Sequence, residues 1–350
     1  MPNRRRLLTL GAAVLAAPAA LRTPRAQAQE VTLRLHHFLP AVSNVHRFFL
    51  QPWVRKVEQE SGGRLRIQIF PAMQLGGAPP QLYDQARDGV ADIIWTLPGN
   101  TPGRFPKVEV FELPFVAHKR AIVNCRAVQE FSEKHLKDEF REVHPICVWA
   151  HGEGLIHARR AVRSMQDLQG LKLRFPSRLN GEALRALGAA PVGMPVPQVP
   201  EALTQGVIDG AVVPWEVVPS LRLQEMVRHH TEVPGSPTLY TATFILAMNR
   251  AKYDGLPADL RRVLDANSGQ AAATMAAVPW DERGPVVEEQ VRKRGNEIIV
   301  ISEEEKQRWM RTTQPVIDTW VAQAGERGFD GAALLADARA LIAKHGQGVS

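Results

Sequence analysis

The sequence lacks the residue patterns on which many enzyme and metal sites depend. Its 350 residues include only two cysteines. They contain neither a Cys-x-x-Cys pair nor a His-Glu-x-x-His segment, so we expect no zinc site. A Gly-x-Ser-x-Gly segment and a phosphate-binding glycine loop are also missing. Without a nucleophile–base or metal arrangement, the sequence predicts neither enzymatic activity nor a bound cofactor.

The net charge is small once the N-terminus is set aside. The chain has 43 Lys and Arg against 36 Asp and Glu, which gives a formal net charge of +7. Residues 1–28 hold five arginines and no acidic residue, so the rest of the chain carries only +2. Because nucleic-acid binding needs a clustered basic surface, we do not expect a nucleic-acid partner.

Long hydrophobic runs are absent except near the N-terminus. Three arginines at 4–6 precede an apolar run over residues 10–21, and an A-x-A cleavage site follows at 26–28. These features predict a signal peptide over residues 1–28 that resembles a twin-arginine signal. Asn3 and Thr9 depart from that motif, so the general secretory route stays open. The run is too short to span about 30 Å of hydrocarbon. We therefore expect a soluble periplasmic protein that begins at Gln29.

The two cysteines lie in different kinds of predicted element. Cys125 falls in a helical pattern and Cys147 in a strand. An oxidising compartment permits a disulfide, but the sequence does not show whether the two residues meet. A Cys125–Cys147 disulfide and a pair of buried free thiols both stay open.

The apolar patterns of the mature chain predict an α/β protein. Its first segments follow a β-α-β-α-β order, which requires a mostly parallel sheet covered by helices. The second half repeats this style, and the C-terminal third is helical, so we expect two α/β lobes around a central cleft. The predicted strands are 31–36, 64–70, 92–96, 146–150, 154–158, 171–175, 208–213 and 241–249, and the main predicted helices are 45–60, 79–87, 180–187, 200–204, 257–278, 286–294, 303–324 and 331–345.

Arg174 is the charged residue with the strongest indication of a function. It lies on an otherwise apolar predicted strand, close to the strand's carboxyl end and just before Phe175-Pro176. Ligands of open α/β sheets bind beyond these ends. A guanidinium presents paired donors that match a carboxylate, so Arg174 is a candidate for holding one. A surface salt bridge is the alternative.

The histidines give weaker indications. His36 and His37 end the first predicted strand, where one of them could face a ligand, although a hydrogen-bonded structural role is the alternative. The His229-His230 pair is predicted to form a solvated turn. His151 and His157 lack a third partner that would make a metal site.

Seven short segments occur in an order and spacing that are informative together. They are SGGRLRIQIFPAMQLGG (61–77), DGVAD (88–92), FELPF (111–115), DLQGLKLR (167–174), GAAPV (188–192), ALTQGVIDG (202–210) and Met248-Asn249. In this order they resemble the solute-binding proteins of TRAP transporters, the DctP type. The resemblance covers nearly the whole mature chain.

This resemblance implies a type II periplasmic-binding-protein fold with a hinge and a long helix that crosses both lobes. Residues 29–151 and about 240–278 would form lobe I, and residues 152–239 and about 279–350 would form lobe II. The family's carboxylate-binding arginine falls on Arg174. The implied protein is a monomeric extracytoplasmic receptor, not an enzyme, that closes on a small organic carboxylate and delivers it to a TRAP membrane permease. The alternatives are an exported enzyme acting on a small organic acid and a receptor for a sensor kinase.

Departures from the sugar-acid members of the family predict the class of ligand. A second family arginine is absent, and Gly154 or Leu155 stands in its place. Apolar residues replace the groups that would bind hydroxyls, which favours an apolar or aromatic monocarboxylate, such as a 2-keto or 2-hydroxy acid. The alternative is a polar pocket with the tryptophans in the cores of their lobes. The candidate ligand-binding residues are Arg174, Trp215, His37, Trp95, Leu97, Val213 and Val196.

Overall fold

The computed structural model describes residues 30–349, and the predicted signal peptide lies outside them. The strands in this range are β1 (Val31–His37), β2 (Leu65–Phe70), β3 (Ile93–Thr96), β4 (Val143–Ala150), β5 (Leu155–Ala158), β6 (Lys172–Phe175), β7 (Ala190–Gly193), β8 (Gly210–Val213), β9 (His229–Glu232), β10 (Thr243–Asn249) and β11 (Glu297–Val300). The α-helices are α1 (Gln51–Glu60), α2 (Leu82–Arg87), α3 (Ala121–His135), α4 (Arg178–Ala186), α5 (Val199–Thr204), α6 (Leu223–Met226), α7 (Arg250–Asp254), α8 (Ala258–Ala266), α9 (Gln270–Ala276), α10 (Val278–Asp281), α11 (Gly284–Lys293), α12 (Glu303–Glu326) and α13 (Gly331–Gly346).

The strands form two mixed sheets, one in each lobe. The first has the order β2-β1-β3-β10-β4, with β10 antiparallel to both of its neighbours. The second has the order β11-β9-β5-β8-β6-β7. Every residue of β3, β8 and β10 is buried, as expected for strands with helices on both faces. The predicted architecture of two α/β lobes around a cleft is confirmed.

Two of the chain segments that connect the lobes are neighbours. One leads from β4 to β5, and the other leads from β9 back to β10. They are joined by hydrogen bonds from Ala242 N to His151 Nε2 at 2.9 Å and from Gly154 N to Tyr240 O at 3.2 Å. The connections therefore form a paired hinge directly beside the cleft.

The long helix α12 has the local signals that begin a helix. Ser302 caps it by accepting a hydrogen bond from Glu305 N, and three glutamates fill the first turn, where negative charge interacts favourably with the helix dipole. The 24 residues of α12 span about 36 Å at 1.5 Å per residue. In the predicted division, residues 279–350 belong to lobe II. However, α12 contacts α4 beside the second sheet, whereas α13 packs against α3 beside the first.

Two local predictions are wrong. The His229-His230 pair begins the strand β9 instead of forming a turn, and His230 is fully buried. Both ring nitrogens of His230 have protein hydrogen-bond partners: Nδ1 lies 2.6 Å from Nδ1 of His157, and Nε2 lies 3.0 Å from the amide nitrogen of Asn296. The helix predicted over 257–278 is interrupted before α9, where Gly269 has a φ of +59°, a left-handed conformation that favours glycine.

Cys125 and Cys147 are both buried free thiols. The Sγ of Cys125 donates to Ala150 O at 3.3 Å, and burial raises the pKa of both thiols. Because the thiolate is the reactive form, neither group is poised for chemistry. In residues 30–349, no helix is both long and apolar enough to cross a membrane.

Candidate functional site

A cavity with about 420 Å³ of empty space lies between the lobes, beyond the carboxyl ends of β1, β3, β6 and β8. The first lobe lines it with Phe38, Leu39, Trp95, Leu97, Phe244 and Trp280, the hinge with His151, Tyr240 and Ala242, and the second lobe with Arg174, Pro176, Val196, Val212, Val213, Pro214, Glu216 and Val217.

Among residues 30–349, Arg174 is the one cation in this lining. It is 3% exposed, and its hydrogen bonds run from Nε to Met194 O at 2.9 Å and from Nη1 to Val212 O at 3.3 Å. These carbonyls orient the guanidinium but leave donors unused. No carboxylate of residues 30–349 lies within 4.0 Å of it. Burial lowers the pKa of Arg174 to about 10, so the group stays charged at neutral pH.

Tyr240 supplies a second donor in the cavity. Its hydroxyl is buried and has no hydrogen-bond partner in the described part of the chain. Burial raises the pKa of Tyr240, and the nearby charge of Arg174 opposes that rise. The phenol therefore stays protonated close to the guanidinium. A Cβ at Gly154 would lie 2.1 Å from the Tyr240 ring, so the ring leaves room only for glycine at this position.

Aromatic rings form most of the first-lobe wall. Trp95 lies 4.6 Å from Phe38 and 5.8 Å from Phe244, measured between ring centroids. Phe244 lies in turn 5.6 Å from Trp280. Trp95 is also stacked at 6.4 Å on Trp149, which lies behind the wall. These contacts fix the rings, so the wall presents preformed flat apolar surface.

The lining histidine is neutral. Nδ1 of His151 lies 2.9 Å from Gly152 O and therefore donates, while Nε2 accepts from Ala242 N. Burial, together with a smaller effect of the charge of Arg174, lowers the pKa of His151 to about 3. His151 therefore holds the hinge and adds no charge to the cavity.

Five of the seven predicted site residues meet in this cavity: Arg174, Trp95, Leu97, Val196 and Val213. His37 and Trp215 do not line it. Nε2 of His37 lies 2.9 Å from Nδ1 of His46, and its own Nδ1 accepts from Leu39 N. The indole of Trp215 donates to Glu232 Oε1 at 2.8 Å and packs on His157. His37 therefore supports the first-lobe wall from behind, whereas Trp215 borders a polar groove beside the cavity.

A polar groove of about 790 Å³ adjoins the cavity. Pro214, Glu216 and Trp280 line both spaces, so they mark the junction. Charged residues of both lobes, including Lys119, Glu153 and Glu288, line the rest of the groove. Among residues 30–349, no group of three or more His, Cys, Asp or Glu side chains is placed to hold a metal ion.

The lobes contact each other around the cavity. Nδ2 of Asn44, on the first lobe, donates to Glu216 O at 2.8 Å. Glu112 of the first lobe accepts from Thr243 N at 2.8 Å, and its main-chain oxygen accepts from Nδ2 of Asn180 on α4 at 3.2 Å. With the lobes in contact in this way, the lining residues Arg174 and Trp95 are almost fully buried.

Sequence reasoning missed Tyr240, Glu216, Trp280, His151, Phe38 and Phe244. Most of them lie on hinge segments or on short turns after strands, whose positions depend on how the lobes meet. One signal for Tyr240 was present, because the sequence has Gly154 or Leu155 where the family has an arginine, and a smaller residue leaves room for another side chain.

Comparison with known proteins agrees with this geometry. The family described as bacterial extracellular solute-binding protein, family 7 (DctP), matches residues 35–324. The chain is 45% identical to a TRAP solute-binding protein from Rhodoferax ferrireducens, solved with copurified benzoate. That match has a TM-score of 0.89 and covers 91% of this chain and 100% of the other.

Two further solved structures are similar. A marine-metagenome TRAP solute-binding protein specific for aromatic acid ligands, solved with 3-hydroxybenzoate, is 42% identical, with a TM-score of 0.89 and coverage of 91% and 99%. A TRAP protein from Bordetella bronchiseptica with bound mandelate is 29% identical, with a TM-score of 0.83 and coverage of 90% and 99%. These structures confirm the predicted type II periplasmic-binding fold. The chain therefore belongs to the DctP family of bacterial extracellular solute-binding proteins, of the type found in TRAP transporters.

Proposed function

We propose that this receptor works in the periplasm, serves a TRAP membrane permease, and binds an aromatic monocarboxylate. The observation that carries the ligand class is Arg174, a buried guanidinium beside aromatic walls with no carboxylate partner among residues 30–349. A buried charge is costly unless it is paired, so the site favours an anionic ligand.

The ligand carboxylate would accept hydrogen bonds from Arg174 and Tyr240. Both groups stay protonated at neutral pH, and charge-assisted hydrogen bonds contribute about 1.5–3 kcal/mol each. The body of the ligand would lie against Trp95 and Phe244. Burying its apolar surface there contributes roughly 25 cal/mol per Å².

The walls disfavour a sugar acid. Val196, Val212, Val213 and Leu97 cannot form hydrogen bonds through their side chains. A hydroxyl buried against them without a partner costs about 1–3 kcal/mol. The similar proteins bound to benzoate and 3-hydroxybenzoate support an aromatic acid over a short branched 2-keto acid.

Binding would close the cleft. The ligand contacts residues of both lobes and of the hinge at once, so it binds the closed form more tightly than the open form. The contacts Asn44–Glu216 and Glu112–Asn180 already join the lobes in this structure, and the closed form would keep them.

Calorimetric titration tests the ligand class. Benzoate, mandelate, 2-ketoisovalerate and gluconate should be titrated into the protein after unfolding and refolding to remove copurified ligand. We expect the two aromatic acids to bind at least tenfold more tightly than gluconate, and each ligand to be recovered unchanged. Tighter binding of gluconate would refute the aromatic class, and ligand turnover would favour the enzyme alternative.

A further inference from the structure

Glu216 is the one acidic residue that the described part of the chain, residues 30–349, contributes to the cavity lining, and the proposed function does not use it. It is 3% exposed, and its Oε1 is buried without a hydrogen-bond partner in the part of the chain that the structure describes. Buried polar atoms are nearly always paired, so an unpartnered oxygen in a binding cavity points to a ligand group.

The position of Glu216 is fixed by the first lobe. Asn44 Nδ2 donates to its main-chain oxygen at 2.8 Å, and the backbone amide of Val45 hydrogen-bonds its carboxyl group. Because these contacts hold the main chain and use part of the carboxyl group, Oε1 remains for another partner.

Trp280 provides a donor on the lining of the same two spaces. Its Nε1 is also buried without a hydrogen-bond partner within residues 30–349. Both Trp280 and Glu216 line the cavity and the adjoining groove, so they lie at the junction of the two spaces. A hydroxyl group can accept from an indole N–H and donate to a carboxyl oxygen at once, which matches this pair.

The junction is separated from the carboxylate anchor. Arg174 and Tyr240 line the cavity but not the groove. On the second sheet, Ala211 pairs with Arg174, and Glu216 follows five residues later, beyond the carboxyl end of β8. A ligand that contacts both Arg174 and Glu216 therefore carries its carboxylate and its second polar group on different parts of the molecule.

We propose that Glu216 and Trp280 form a second polar subsite, which binds a ring hydroxyl of an aromatic acid whose carboxylate is held by Arg174. This inference rests on the proposed function and narrows its substrate class to hydroxylated aromatic acids, such as hydroxybenzoates and hydroxyphenylacetates.

The protonation state of Glu216 agrees with this role. Burial raises the pKa of Glu216 to about 8, so its carboxyl group is largely neutral at pH 7. A neutral carboxyl group does not repel the ligand carboxylate. It can also donate as well as accept, so the subsite tolerates either orientation of the ligand hydroxyl.

The test compares benzoate with 2-, 3- and 4-hydroxybenzoate and 3-hydroxyphenylacetate by calorimetry at pH 7. We expect at least one ring-hydroxylated acid to bind wild type more tightly than its unhydroxylated parent, by on the order of tenfold. Glu216→Leu should reduce this ratio to about one, Glu216→Gln should keep most of it, and Trp280→Phe should lower it.

Glu288→Gln is the matched control. Glu288 lies on the groove but not on the cavity and is paired with Arg292, so its replacement should leave the ratio unchanged. If benzoate binds but no hydroxylated isomer is preferred, or if Glu216→Leu keeps the preference, the subsite is refuted and the proposed function stands. If no aromatic acid binds, both are refuted. Should Glu216→Leu fail to fold, the wild-type series and Trp280→Phe still decide.

Discussion

Arg178 of α4 donates from Nη2 to Oε2 of Glu109 at 2.7 Å, and this ion pair joins the second lobe to the first. Both side chains are largely buried, with 24% and 9% of their surfaces exposed. The pair lies outside the cavity lining, so it stabilises the contact between the lobes without touching the ligand site.

Arg178→Ala should therefore weaken ligand binding by favouring the open form. A largely buried pair of this kind contributes on the order of 1 kcal/mol, which corresponds to roughly a fivefold loss of affinity. Calorimetry with benzoate measures the affinity, and small-angle scattering measures the opening. Arg185→Ala, an exposed change on the same helix, is the control. Unchanged affinity in Arg178→Ala would show that this pair does not control closure.

Arg174→Ala should weaken binding of any carboxylate ligand by about 30-fold or more, because losing one partner of a buried charge pair costs about 2–5 kcal/mol. Arg174→Lys should also lose most of the affinity, since an ammonium group cannot reproduce two parallel hydrogen bonds. Calorimetry measures both, and circular dichroism checks the fold. Wild-type affinity in a folded Arg174→Ala would remove Arg174 from the site.

Tyr240→Phe should separate binding from stability. Loss of the hydroxyl removes one proposed donor to the ligand carboxylate, so affinity should fall by on the order of tenfold. The ligand-free protein should be at least as stable as wild type, because a buried unpartnered hydroxyl is removed. Thermal unfolding with and without benzoate measures both effects. A less stable variant with unaltered affinity would contradict this role.

Gly154→Ala should destabilise the protein by about 1–3 kcal/mol, since the new methyl group would overlap the Tyr240 ring. Gly325→Ala is the control, because nothing lies within 4 Å of a Cβ there. Alanine in that helix should be neutral or stabilising by up to about 1 kcal/mol. Urea unfolding compares the two. Equal stabilities would mean that Tyr240 can move away without cost.

Glu112 should give the stability of the protein a pH dependence. Burial raises the pKa of Glu112 to about 7 from its usual 4.5, so the folded protein binds a proton that the unfolded chain releases between these values. Stability from this group is therefore full below about pH 4.5 and is lost as the pH rises through about 7. Relative to Glu112→Gln, wild type should become less stable over this interval, as followed by urea unfolding. A constant difference would show that Glu112 does not titrate there.

The fold was predictable from the sequence where local pattern and packing agree. Apolar strands and capped helices gave the two lobes, because strands such as β3 and β10 are buried on both faces whatever the ligand. The strand β9 was missed because its polar residues find protein partners: His230 pairs with His157 and Asn296. Such long-range contacts leave no periodic signal.

The candidate site was predictable only in part. Arg174, Trp95, Leu97, Val196 and Val213 lie at strand ends or directly beyond them, so their approximate location followed from the topology. Tyr240 and Glu216 come to the cavity through the hinge and through contact between the lobes. Trp215 precedes Glu216 in the chain, but its indole bonds to Glu232 and packs on His157 instead of lining the cavity. The apolar pattern of the sequence does not show which of two adjacent residues faces the cavity.

The charge of Arg174, which has no carboxylate partner among residues 30–349, also bears on how the proposed permease would distinguish loaded from unloaded receptor. Closing the lobes around a guanidinium without a counter-ion would cost several kcal/mol in desolvation, whereas an anion removes most of that cost. The closed conformation is thus favoured when the bound anion neutralises the buried charge of Arg174, and closure changes the outer shape of the protein. A membrane partner that docks only to the closed shape would detect occupancy without contacting the ligand.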